Sequence, residues 1–206
     1  MDLSHLSQLV QNHRPTLQSA RGEYAVLVPL IRREDGLHLL YEVRSATLQH
    51  QPGEVCFPGG AMEPGESPVQ CALRETEEEL GLPPSAIEVI GPLDFLLRGG
   101  SIVYPVLGAI HAAFPEDLRL NHDEVAETFT VPLAWLRDNP PEIYRYKHHP
   151  HPEGFPYDAV RVSPDYPWSP IIMEVPVYRG LSHPLWGMTA RITTWLIQKL
   201  YEKENG

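Results

Sequence analysis

The stretch from residue 67 to residue 83 constrains this chain more than any other. Ser67 can cap a helix. Pro68 stands at the first helical position, where a missing N–H costs nothing, and Gln70 completes a capping box. Gly81 closes the helix and Pro83 stops it. Inside these limits residues 74–79 read Arg-Glu-Thr-Glu-Glu-Glu, which crowds four acids into the last half of a short helix. A run of charges is commonly a solvated helix face, but the energetics here are unfavourable. The C-terminal end of a helix is the wrong end for anions, and each like-charge pair at i,i+4 costs about 0.2–0.5 kcal/mol. A divalent cation would offset that. At about 100° per residue, Glu75, Glu78 and Glu79 fall in one sector and Glu77 points away from Glu75. Three carboxylates can therefore converge, and a set of hard oxygens suits Mg²⁺ or Mn²⁺. The opposite sector holds Val69, Ala72, Leu73 and Leu80, which face a core. Thr76 lies among them, with a methyl that packs and a hydroxyl that can bond back to the Ala72 carbonyl.

The surrounding pattern predicts one α/β domain over 1–206. Residues 3–10 have helical spacing and predict an N-terminal helical extension within 1–20, ended by Pro15. Residues 24–31 and 37–43 are apolar, β-prone runs around Glu34-Asp35-Gly36, a hairpin signal. Residues 44–66 are rich in turns. Two strands are expected at 87–97 and 102–114, joined across Arg98-Gly99-Gly100. Residues 122–136 read as an acidic loop, a short strand and a helical turn. Residues 139–170 read as a long loop with a hairpin, and 171–178 as a strand. A C-terminal helix is expected over 184–203, burying Leu185, Met188, Ile192, Trp195, Leu196 and Leu200. Sixteen basic against twenty-seven acidic residues give a net charge of −11, which disfavours a nucleic-acid phosphate binder, since backbone neutralisation needs a basic surface. No apolar run is long enough to span a membrane. Cys56 and Cys71 make no disulfide framework, so a reducing compartment, the cytoplasm, is expected.

The acidic helix joins a longer constellation. Gly60, five residues, Glu66, seven residues, then Arg74-Glu75-x-x-Glu78-Glu79-x-Gly81-Leu82 resembles the Nudix box at every fixed position. Thr76 departs from it at an apolar position. The resemblance implies a Nudix-type α/β/α sandwich with a mixed sheet, and hydrolysis of a nucleoside diphosphate linked to another group. It implies that Glu75, Glu78 and Glu79 bind the metals. Arg74 would orient the carboxylates through ion pairs, and Glu66 can reach Arg74 or the metal region. Gly59 and Gly60 let the backbone approach a ligand or the helix start. A general base is also needed; a box glutamate such as Glu78, or Glu124 or Glu127 from the later acidic loop, can serve.

Residues 44–60 narrow the resemblance. Arg44, Ser45, Gly53, Phe57, Pro58, Gly59 and Gly60 are similar in register to the signature of Nudix coenzyme A pyrophosphatases, as is Leu185-Trp186-Gly187-Met188-Thr189-Ala190. Gln49 replaces an Arg of that signature and Glu42 a Thr. The substrate so implied is coenzyme A or its thioesters, cleaved to 3′,5′-ADP and 4′-phosphopantetheine, with Arg44 meeting a substrate phosphate. The rival substrates are other diphosphates such as ADP-ribose or NADH. The rival class is a nucleotide sensor that binds without cleaving, and three intact box acids argue against it. Tyr144, Tyr146, Tyr157 and Trp168 offer aromatic surface for substrate or for packing. His148, His149 and His151 read as an exposed loop before a metal site. Cys71 lies near the carboxylate sector.

Overall fold

The computed structural model describes residues 21–111 and 117–201, together with Gln11 and Leu17. The expected helix at 3–10 lies outside them. The chain enters through β1 (Glu23–Arg33) and turns back into β2 (Gly36–Arg44). Arg33 pairs with Gly36 across Glu34 and Asp35, so the hairpin forms where Asp-Gly predicts it. Two short strands follow, β3 (Val55–Cys56) and β4 (Gly59–Ala61), and then helix α1 (Pro68–Leu80). After a 3₁₀ turn at Pro84–Ala86 come β5 (Ile87–Pro92), β6 (Leu96–Arg98) and β7 (Ser101–Ile110). β8 (Val125–Pro132) leads directly into α2 (Leu133–Asp138). The remaining elements are β9 (Glu142–His148), one turn α3 (Tyr157–Val160), β10 (Ile171–Tyr178), β11 (Leu185–Trp186) and α4 (Gly187–Tyr201).

The main sheet is mixed. β1 runs parallel to β7 over nine paired residues and antiparallel to β2 and β4, while β8 pairs with β2, and β5 and β6 pair with β7. Its two faces follow from alternation along β1. Ala25 and Leu27 join Leu40, Ala72 and Leu80 in a core under α1. Val26 and Val28 join Leu39, Tyr41, Leu133, Leu136 and Leu196 in a second core under α2 and α4. A central strand covered on both sides must be apolar throughout, which explains the unbroken Tyr-Ala-Val-Leu-Val-Pro-Leu-Ile run. The expected α/β/α sandwich with a mixed sheet is observed.

Helix α1 forms as its ends dictate. The Ser67 hydroxyl accepts from the Gln70 N–H, the Gln70 side chain accepts from the Ser67 N–H, and Gly81 closes the helix in the left-handed conformation. Thr76 is fully buried and donates to the Ala72 carbonyl at 2.6 Å.

Three expectations need correction. The run at 87–97 is two strands, because the ladder is bulged at Ile90, between Val89 and Gly91, and the chain leaves it at residues 93–95 after Pro92. The last helix begins at Gly187, since Leu185 and Trp186 pair with Tyr178 and Val177 in a separate three-stranded sheet with β9. Its buried face carries Thr189, Thr193 and Ile197 besides Ile192 and Leu196, whereas Leu200 is turned outward. The hydroxyls of Thr193 and Thr194 bond to carbonyls one turn back, so polar side chains sit in that face without orphaned groups.

Loss of the cap should cost the fold a measurable, local amount. Ser67→Ala removes the acceptor for Gln70 and should destabilise the protein by about 1 kcal/mol. Thermal unfolding should shift down by roughly 2–4 °C; an unchanged midpoint would show that α1 is held by packing alone.

Candidate functional site

Helix α1 and strand β4 meet side by side at the N-terminal end of β1, where Ala25 pairs with Gly60 and Val26 with Gly59. The closeness depends on missing side chains. A Cβ on Gly60 would lie 2.3 Å from a Glu75 carboxylate oxygen, and one on Gly59 would lie 2.3 Å from the Ala25 carbonyl. The backbone N–H of Gly59 instead donates to Glu79 at 2.8 Å. Glu79 is almost fully buried, and that burial raises its pKa; the Gly59 bond opposes the rise, and the charges of Glu75 and Glu124 add to it. Glu75 is raised mainly by burial as well, with the Arg74 guanidinium pulling the other way. Glu78 is exposed.

Arg74 gathers the acids. Its Nε and Nη2 donate to the two oxygens of Glu66 at 2.9 and 3.1 Å. Nη1 donates to Glu75 at 2.8 Å and reaches Glu78 at 3.3 Å, and Nη2 also meets the Ala61 carbonyl. The bonds from Arg74 hold the Glu66 carboxyl below its usual range. Glu66 thus meets Arg74 as the spacing predicts, Glu75 and Glu79 face one cleft while Glu78 is exposed and outside its lining, and Glu77 is exposed to solvent.

Of these acids, Glu75 and Glu79 open onto a cleft of about 780 Å³. Glu75, Glu79, Gly59 and Gly60 form its floor, and Arg44 and Glu124 stand on one rim. Arg44 is fixed by its Nε bond to the His50 carbonyl, and Ser45 N–H donates to the Glu124 carbonyl, which ties the two rim residues together. Glu127 faces elsewhere, beside His183 at 3.6 Å. Met188, Thr189 and Ile192 of α4 close the back, where the Thr189 hydroxyl donates to the Val55 carbonyl at 3.0 Å. Arg98, Gly99 and Ser101 form the far rim.

Arg98 was not singled out by sequence reasoning. The only signal was the Arg-Gly-Gly turn, and its placement depends on the parallel pairing of β1 with β7. Glu42, noted above as a departure from the signature and given no role there, is a second such residue. It is buried beside Cys56, which donates to its Oε2 at 3.8 Å, while Oε1 has no partner. Burial and the neighbouring Glu79 charge push its pKa up. The weaker candidates stay apart from the cleft. Tyr157 and Trp168 pack against Phe155, and Tyr144 bonds Glu142 on the outer sheet. Cys71 is buried with its thiol 3.6 Å from the Gly60 carbonyl, as its place in the sequence suggests.

Carboxylates are the donor chemistry that Mg²⁺ and Mn²⁺ take. The acids that repel one another around Glu79 and the unpartnered oxygen of Glu42 fit a cation in this region. Among the described residues, no three acids, histidines or cysteines form one compact ligand cluster, because Arg74 holds Glu75 and Gly59 holds Glu79.

Comparison with known proteins agrees with the geometry. The family model described as NUDIX domain matches residues 23–151. Peroxisomal coenzyme A diphosphatase NUDT7 of Mus musculus is 40% identical over 128 residues, 61% of this chain and 52% of its own length. The uncharacterized Nudix hydrolase NudL of Escherichia coli K12 is 43% identical over 145 residues, 66% of this chain and 71% of that protein. The match therefore spans about half of the mouse relative. A MutT/nudix family protein from Enterococcus faecalis superposes with a TM-score of 0.48 at 18% identity, over 100% of this chain and 70% of that one.

Gly60→Ala tests the close approach. The added methyl meets the far end of a flexible side chain, so the protein should fold while Glu75 is displaced. Mn²⁺ affinity, followed by calorimetric titration, should fall at least about tenfold, as for the loss of a supporting contact to a ligand. Unchanged affinity would remove Glu75 from the ion's surroundings.

Proposed function

The chain belongs to the NUDIX domain family, and on that premise we propose that it hydrolyses the diphosphate bond of coenzyme A or its acyl thioesters. The products are 3′,5′-ADP and 4′-phosphopantetheine or its acyl form. The observation that carries this reading is the box itself: Arg74 bonded to Glu66 and Glu75, and Glu79 anchored on Gly59, at the floor of a cleft large enough for a nucleotide. The substrate class is supported by the Arg44–Gly60 signature and by the relative named a coenzyme A diphosphatase.

Glu75, Glu78 and Glu79 would hold Mg²⁺ or Mn²⁺, which supplies charge neutralisation and Lewis-acid polarisation of the diphosphate. Arg74 keeps the carboxylates in place by ion pairs that leave its own charge fully engaged. Gly59 and Gly60 keep the floor free of side chains, so that phosphate oxygens come close to it. Arg44 on the rim meets a non-bridging phosphate oxygen. Glu124 takes a proton from the attacking water, with Glu78 as the box glutamate that could do so instead. One domain carries the reaction. A cytoplasmic compartment is part of this reading and is supported by two cysteines that remain free. Hydrolysis of ADP-ribose or NADH is the rival within the same chemistry, and a non-cleaving sensor the rival outside it.

Incubation of the protein with coenzyme A and Mn²⁺ or Mg²⁺, with ADP-ribose and NADH in parallel and products identified by mass spectrometry, decides among them. Release of 3′,5′-ADP and phosphopantetheine, abolished by chelator, is expected. Cleavage of another diphosphate alone would overturn the substrate, and no cleavage of any would overturn the enzyme. Glu78→Gln should fold normally and lose turnover on the order of 10²-fold or more. Glu77→Gln, on the solvent face, should stay within about twofold, as surface changes do; a comparable loss there would refute the assigned helix face.

A further inference from the structure

The rim opposite Arg44 carries a second positive group. Arg98 ends β6, lines the cleft and is exposed, and no acid among the described residues pairs with it. Across the same turn, the Arg21 N–H donates to the Gly100 carbonyl at 2.9 Å, and its side-chain carbons lie about 3.5 Å from where a Cβ on Gly100 would stand. Arg21 likewise has no acidic partner among the described residues. The neighbouring carboxylate, Glu23, accepts the Tyr104 hydroxyl at 2.8 Å and is directed to that phenol. Among the described residues neither guanidinium group, one at the β6–β7 turn and one joined to that turn through its backbone, has an acidic partner, in a chain of net charge −11. In such a chain an unpaired cation at a cleft mouth acts as a local electropositive feature for an anionic ligand.

Sheet register gives their distance from the floor. Gly60 pairs with Ala25 on β1, Tyr24 next to it pairs with Val103 on β7, and Val103 pairs with Leu96 on β6. That is three strand spacings of roughly 4.8 Å, about 14 Å between the β4 and β6 backbones. Arg98 itself pairs with Ser101, three residues along β7 from the partner of Ala25, which adds about 10 Å along the strands and sets its backbone roughly 17 Å from that of Gly60, a gap for an extended arginine and the ribose of a nucleotide to share. Glu75, Glu79 and Arg98 line the same cleft, so a diphosphate held over the two acids would extend its ribose toward Arg98, whereas Arg74 is engaged by Glu66 and Glu75.

We propose that Arg98, with Arg21 beside it, recognises a phosphomonoester carried on the ribose of the substrate in addition to the diphosphate, and so selects 3′-phosphorylated adenosine nucleotides over unphosphorylated ones. An arginine fork matches the phosphate oxygens in geometry and charge. In its kinetic arm this inference rests on the coenzyme A reading above; its binding arm does not.

For the kinetic arm, kcat/KM is measured with coenzyme A and with 3′-dephospho-coenzyme A. In Arg98→Gln the ratio of the two should fall about tenfold, which is ~1.4 kcal/mol, chiefly through KM for coenzyme A. Arg21→Gln should lower it less. Arg145→Gln, which removes a cation paired to Glu174 on the outer sheet, should leave the ratio unchanged. A ratio unaltered in Arg98→Gln, or one altered equally by Arg145→Gln, would overturn the proposal. For the binding arm, calorimetry on the metal-free protein compares 3′,5′-ADP with 5′-AMP. The first should bind more tightly, and Arg98→Gln should erase the difference. Equal affinity in the unsubstituted protein would overturn the subsite. Preferential binding of 3′,5′-ADP without any hydrolysis of coenzyme A would uphold the subsite and reject the proposed reaction.

Discussion

The guanidinium of Arg74 bonds to Glu66 before the helix, to Glu75 and Glu78 on it, and to the Ala61 carbonyl of the adjoining strand. One cation therefore ties together three segments that would otherwise repel or drift apart. Its planar fork suits this better than an ammonium would, because two nitrogens can face one carboxylate while the third serves others. The acidic helix is tolerable in the protein because this charge is embedded in it. The loop between β4 and α1 is in turn held at the correct length by the Glu66 contact. Glu79 is the complement on the inner side. It reaches a backbone N–H of β4 rather than Arg74, so helix and strand are joined by two independent bonds of opposite polarity.

What could be read in the sequence was what short-range chemistry decides. The capping box, the left-handed Gly81, the Thr76 bond to Ala72 and the outward direction of Glu77 all depend on residues within four positions of each other. The β1–β2 hairpin and β10 belong to the same class. The rest depended on distant partners. The break between β5 and β6 follows from how both pair with β7, and the face of α4 is set by the sheet beneath it, so that Thr193 bonds Tyr41 at 3.0 Å while Leu200 is left in solvent. Arg98 could not be placed on the cleft by any local pattern, since its position rests on a strand pairing that spans much of the chain. Glu42 was visible as a departure from the family signature, but its burial next to Glu79 was not.

The electrostatic layout of the cleft is uneven in an informative way. The floor is acidic and desolvated, while the two rims carry Arg44 and Arg98. An anionic ligand meets favourable charge at the edges and unfavourable charge at the centre, and a divalent ion reverses the sign of the centre. On the proposed reading entry and retention are thereby separated: the rim arginines would draw in a phosphorylated nucleotide, and the floor would hold it only when the carboxylates are charge-compensated. The chain's net charge of −11 works against long nucleic acids, whose backbone phosphates need a basic surface.

The hydrogen bond from Thr189 to the Val55 carbonyl places the last helix against strands made far earlier in the chain. On a ribosome the box and its loop are synthesised long before Met188, Thr189 and Ile192 exist, and domains are built from the N-terminal side onward. The back wall of the cleft thus arrives after its floor and both rims. A nascent chain can present an acidic helix and a sheet, yet the cleft has no back wall until α4 has been made.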